Sequence, residues 1–69
     1  MGMLKVIEVL AESKSSWEDA AQQAVKNASG SVRGIKSIYI KEFEAQVDNN
    51  AITSYRINAK VTFALEGQQ

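Results

Sequence analysis

The run Ile35-Lys36-Ser37-Ile38-Tyr39-Ile40-Lys41-Glu42-Phe43-Glu44-Ala45-Gln46-Val47, then Asp48-Asn49-Asn50, then Tyr55-Arg56-Ile57-Asn58-Ala59-Lys60-Val61-Thr62-Phe63-Ala64-Leu65, decides the fold. From Tyr55 the apolar residues fall on every second position, the period of a half-buried strand. Asp48-Asn49-Asn50 has the composition of a turn. The run before it alternates as well, but its apolar residues are first even-numbered (Ile38, Ile40) and then odd-numbered (Phe43, Ala45, Val47). One inserted residue near Lys41 produces such a slip, because a β-bulge moves all following side chains to the opposite face. A hairpin centred on Asn49 then predicts Phe43 opposite Tyr55, Ala45 opposite Thr53 and Glu42 opposite Arg56. Beyond the bulge, Ile40 faces Ile57 and Ile38 faces Ala59. On the reverse face the same register sets Ser37 opposite Lys60 and Tyr39 opposite Asn58.

Upstream, Met3-Leu4-Lys5-Val6-Ile7-Glu8-Val9-Leu10 carries apolar residues on both faces and predicts a strand buried on both sides for much of its length. A polar connection follows and ends in helix-start chemistry: Ser15 or Ser16 as the cap, with Glu18 or Asp19 three residues on completing a capping box. Trp17, Ala20, Ala21, Ala24, Val25 and Ala28 then recur at helical spacing on one face. Ser29-Gly30 ends this helix, with Gly30 expected in the left-handed cap position. The order is β-α-β-β, an α+β class, in a single domain spanning 1–69 with its core at about 4–65.

Composition bounds the function. The chain has 69 residues, eight Lys+Arg against eight Asp+Glu, and neither Cys, His nor Pro. Thiol nucleophiles, imidazole bases and zinc sites of the usual kind are therefore excluded, and no phosphate-cradling Gly-rich motif is present; no enzyme is expected. Zero net charge opposes general nucleic-acid binding. No apolar run approaches a membrane span, and no leader of signal-peptide type is recognised. The lack of Cys fits a reducing compartment, so the expected location is cytoplasmic, with secretion left open. A chain this short buries only about 60% of its unfolded surface and usually needs a staple or partners. A strand of about 13 residues exceeds 40 Å, whereas a 12-residue helix covers roughly 18 Å, so self-association is expected to cover the remainder.

Three segments carry a resemblance: Ser13-Lys14-Ser15-Ser16-Trp17-Glu18-Asp19-Ala20, Val32-Arg33-Gly34-Ile35, and Tyr55 through Phe63. With the β-α-β-β order they make the chain similar to the dodecin family from about Leu4 to Leu65. The resemblance implies a three-stranded antiparallel sheet partly wrapping one helix, and twelve chains closing into a hollow homododecamer of cubic symmetry. Flavin-binding members hold their ligand between tryptophans of the second strand, with a glutamine of the third strand on the ring edge. Those positions fall on Ser37 and Arg56, so neither side chain is retained. Serine offers no stacking platform, a contact of about 1–3 kcal/mol where present. The chain thus looks closer to the branch that lacks the tryptophan, some of whose members bind calcium. Calcium takes six to eight oxygens, and no EF-hand loop is present. Glu42, Glu44 and Asp48 are the candidate metal ligands, brought together at a subunit junction.

Trp17 at the first helical turn is read as a core or interface anchor. Arg56 with Lys41 and Lys60 forms a candidate anion-binding face, with Tyr39 positioned to stack. The simpler reading pairs Arg56 with Glu42 across the hairpin or with a carboxylate of a neighbouring subunit. The leading expectation is a non-catalytic binding or sequestration shell without high-affinity flavin binding, taking calcium or an anionic small molecule. The alternatives are a riboflavin- or FMN-binding storage protein and a structural or protein-interaction module.

Overall fold

The computed structural model describes residues 2–65; Met1 and the last four positions of the expected 1–69 domain lie outside the described residues. Two long strands, β2 (Ile35–Asp48) and β3 (Ala51–Ala64), form the hairpin. Asn49 and Asn50 alone connect them, with φ of 53° and 64°. Two successive positive φ angles make a type I′ turn, whose twist matches that of the flanking strands and which Asn tolerates better than most residues.

The bulge near Lys41 is present: Ile40 pairs with Ala59 and Glu42 with Asn58, leaving Lys41 extra. The expected partners, however, are displaced by two residues along β3. Phe43 faces Ile57 rather than Tyr55, Ala45 faces Tyr55 rather than Thr53, and Glu42 faces Asn58 rather than Arg56. Likewise Ile40 faces Ala59, Ile38 faces Val61, Tyr39 faces Lys60 and Ser37 faces Thr62. The turn accounts for one residue of the displacement, since it is centred between Asn49 and Asn50. The other comes from a second bulge, where Val47 pairs with Ile52 but Gln46 with Ser54, leaving Thr53 extra. Two residues are one full strand period, so every side chain keeps its expected face.

Strand β1 (Leu4–Ser13) pairs antiparallel with the other side of β3, giving the order β1-β3-β2. It is therefore an edge strand and is not buried on both sides as its sequence suggested. Ile7, Val9 and Ala11 are half-buried toward the helix, while Leu4, Val6 and Leu10 on the reverse face are exposed. A single helix covers one face only, and the apolar residues of the other have no cover within the chain.

Helix α1 (Trp17–Ala28) starts at Ser16, whose hydroxyl accepts from the Asp19 backbone N–H at 2.9 Å. The return leg of the capping box runs through a third residue. The buried Ser13 hydroxyl donates to the Asp19 carboxylate at 2.6 Å and accepts from the backbone N–H of Ser15 and of Ser16. At the other end Gly30 does not take the left-handed position. The chain instead tightens, with N–H groups of Gly30 and Ser31 donating to the carbonyls of Asn27 and Ala28, and the Ser29 hydroxyl donating to Lys26 at 2.7 Å. The left-handed glycine is Gly34, with φ of 69°, where the chain passes Ala64 on entering β2.

The core lies between helix and sheet. Ala20 packs with the buried Ile57 and Ala59 of the central strand, with Val9, Ala11, Ile38 and Ile40 at the margins, and Ala24, Ala28 and Val61 are buried as well. Small residues on both sides bring helix and strand close together. The sheet runs past the helix, since the molecule is 51 Å long.

Candidate functional site

On the face turned away from the helix, β3 presents Ser54, Arg56, Asn58, Lys60 and Thr62, the even positions of its alternation. Antiparallel pairing sets Glu12 of β1 and Glu44 of β2 on either side of Arg56. Its guanidinium spans both: Nη2 donates to Glu12 Oε2 at 3.4 Å and Nη1 lies 3.7 Å from Glu44 Oε1. The Ser54 hydroxyl donates to the same Glu12 oxygen at 2.9 Å and fixes that carboxylate in place. One row further, Lys41 reaches across the sheet to Glu8 at 3.5 Å.

This arrangement replaces the expected Arg56–Glu42 pair. Glu42 stands opposite Asn58 and makes no ion pair among the described residues. Glu42, Glu44, Arg56 and Asn58 line a shallow groove of about 310 Å³, flanked by the apolar Leu10, Phe43 and Ile57. Within it, the Asn58 side-chain oxygen is buried and has no hydrogen-bond partner among the described residues.

The residues singled out in the sequence share this face but do not converge. Ser37 lies opposite Thr62, six residues from Arg56 along β3 and hence about 20 Å away. Tyr39, exposed opposite Lys60, is four residues from Arg56, or about 13 Å. The candidate metal ligands are also spread out. Asp48 ends β2 at the turn, four residues from Glu44, and Glu44 is already engaged by Arg56. Among the described residues no group of three acidic, His or Cys side chains is placed to hold a metal ion. The oxygen donors of one chain therefore do not fit a calcium shell of six to eight ligands.

Trp17 faces the helix side. It packs edge-on against Tyr55 and Phe43, with ring centroids 4.9 and 5.7 Å apart, and its indole N–H donates to the Glu44 carbonyl at 3.0 Å. It anchors the helix start to the hairpin, as its position suggested. Glu12 and Ser54 were missed in the sequence. Their signal was available only through the pairing of β1 with β3, since Glu12 meets Arg56 forty-four residues away in the chain. No helix among the described residues is long and apolar enough to cross a membrane.

Comparison with known proteins matches the geometry. The sequence model of the family described as Dodecin covers residues 3–66. The calcium dodecin of Mycobacterium tuberculosis is 36% identical over 69 residues, spanning 100% of this chain and 97% of that protein. Its crystal structure, described as that of a calcium-chelating protein with a calcium-binding site, covers 97% of this chain and 96% of its own at a TM-score of 0.80. A variant of the Thermus thermophilus dodecin has a TM-score of 0.91 at 25% identity, covering 99% of this chain and 100% of that one. The Streptomyces coelicolor dodecin, 22% identical, shares the fold at a TM-score of 0.90 over 97% of this chain and 96% of its own. With the strand order, the single helix and matches spanning nearly the whole sequence in agreement, the chain belongs to the dodecin family.

Proposed function

We propose that the full 69-residue chain acts as one domain of a hollow homododecameric shell, a non-catalytic cytoplasmic binding and sequestration protein that takes calcium and lacks high-affinity flavin binding. The observation that carries the shell is the placement of two uncovered apolar patches. Leu4, Val6 and Leu10 form one on the reverse face of β1, with Leu10 72% exposed. Phe43, Val47 and Ile52 form the other, on the opposite face of the hairpin arm past the helix start, where Phe43 stays 63% exposed despite its edge contact with Trp17. Because the two patches lie on opposite faces of the sheet, contacts on both faces support an assembly larger than a dimer, with closure set by the symmetry that relates those contacts. Large uncovered apolar patches mark interaction surfaces in soluble proteins.

The ligand reading is supported by Ser37, which provides no stacking platform where flavin-binding relatives carry tryptophan, and by the calcium binding of the Mycobacterium tuberculosis relative. Glu42, Glu44 and Asp48 supply calcium oxygens where symmetry-related copies meet. The non-catalytic reading is supported by the residues available, since the sequence has neither His nor Cys. Native mass spectrometry tests the assembly: the expected mass is about twelve times the 7.6 kDa of the chain, and a stable monomer overturns it. Calorimetric titration of the dialysed protein with calcium tests the ligand, with no saturable heat as the contrary outcome.

A further inference from the structure

We propose that Glu12 and Glu44 serve as built-in counter-ions of Arg56, so that the reverse face refuses phosphate-bearing anions that the arginine alone would attract. The inference rests on the reading, implied by the family resemblance, that Ser37 and Arg56 mark the ligand positions on this face.

A guanidinium recognises phosphate through its fork of N–H donors, two of them aimed at two oxygens. Here the fork is divided: Nη2 is directed to Glu12 of one edge strand and Nη1 to Glu44 of the other. Glu12 does not reach Arg56 by chance rotation, because the Ser54 hydroxyl holds the oxygen concerned at 2.9 Å. Glu42 adds a carboxylate to the same groove without an ion pair of its own among the described residues. An anion approaching Arg56 thus meets one positive and three negative charges. Lys41 does not redress this, being paired with Glu8. Lys60 lies four residues on, about 13 Å along the strand, beyond the roughly 8 Å screening length at physiological ionic strength.

The side chains of Arg56, Glu12 and Glu44 are 36%, 48% and 62% exposed, and ion pairs this open contribute little to folding. Their selectivity can therefore be removed without removing the fold. The substitution E12Q with E44Q keeps the shape and the Ser54 contact but discards both charges.

The test is calorimetric titration of the intact protein with inorganic pyrophosphate at fixed ionic strength. The wild type is expected to show no saturable binding over concentrations at which E12Q/E44Q saturates, a difference in affinity of roughly tenfold or more. Adding R56Q to that variant is expected to abolish the gain. Wild-type binding indistinguishable from that of E12Q/E44Q overturns the proposal, as does a gain that survives R56Q. Native mass of the wild type separates the two readings, since a wild-type monomer counts against the shell whatever the titrations show. If E12Q/E44Q does not assemble, E44Q alone decides, because Glu44 is the most exposed of the three: a smaller gain supports the proposal and no gain overturns it.

Discussion

The indole nitrogen of Trp17 donates a 3.0 Å hydrogen bond to the backbone carbonyl of Glu44, whose carboxylate lies toward Arg56 on the other side of the sheet. One residue of β2 thus fastens the start of the helix with its main chain and faces the charged groove with its side chain. Trp17→Phe keeps an aromatic ring against Tyr55 and Phe43 but loses the donor. It is expected to lower stability by about 0.5–1.5 kcal/mol, read from urea denaturation followed by far-ultraviolet circular dichroism. An unchanged midpoint would show that water replaces the bond at no cost.

The turn gives a prediction of opposite sign at one position. Asn50 has φ of 64°, a region that costs most L-residues about 1–2 kcal/mol. Asn50→Gly completes the Asn-Gly pair that type I′ turns favour and is expected to raise the thermal midpoint. Asn50→Val is expected to lower it by the equivalent of about 1–2 kcal/mol. Equal midpoints for the two variants would mean that the turn is not held in this conformation.

Ala20 and Ala59 are both fully buried where helix and central strand approach most closely. Ala20→Leu inserts three carbons where no space exists, an overpacking that costs about 1–3 kcal/mol. Gln22→Leu on the exposed helix face provides a contrast expected to leave stability within about 0.5 kcal/mol. Chemical denaturation of both variants measures the difference.

Ser37 lies on the reverse face opposite Thr62, and on the reading proposed above it stands where flavin-binding relatives carry the stacking tryptophan, so Ser37→Trp supplies that platform. Each base-sized stack contributes about 1–3 kcal/mol, and riboflavin fluorescence is expected to be quenched on titration with the variant and unaffected by the wild type. Quenching by the wild type at micromolar concentration would put the flavin-storage alternative ahead of the reading proposed above.

How much of this was legible follows from strand parity. Alternation from Tyr55 and the slip at Lys41 assigned the β2 side chains from Ser37 to Ala45 and their β3 partners to their proper faces, even though the partners were two residues out. Thr53 gave no sign of being the second bulge, because a threonine is equally at home on either face of a strand. For β1 the reading of Leu4, Val6 and Leu10 as buried failed for a related reason: hydrophobicity reports the need for cover, and here the chain alone does not provide it. Trp17 and the Ser16 cap were legible because their spacing is local. The Glu12–Arg56–Glu44 arrangement was not, since it depends on which strand occupies the middle of the sheet.

That middle position belongs to β3, the strand that comes last in the sequence. During synthesis neither earlier strand has a neighbour to bond to, because β1 and β2 each pair only with β3. The hairpin is the first sheet structure available, and β1 must then be recruited across the intervening helix to the hairpin's far edge, a long-range closure of the kind that slows folding. Until the final strand has left the ribosome, the apolar residues of β1 remain unpaired and open to aggregation. A chain interrupted ahead of Ala51 lacks the strand to which both others pair among the described residues, so neither half of the sheet can form as it stands here until β3 is made.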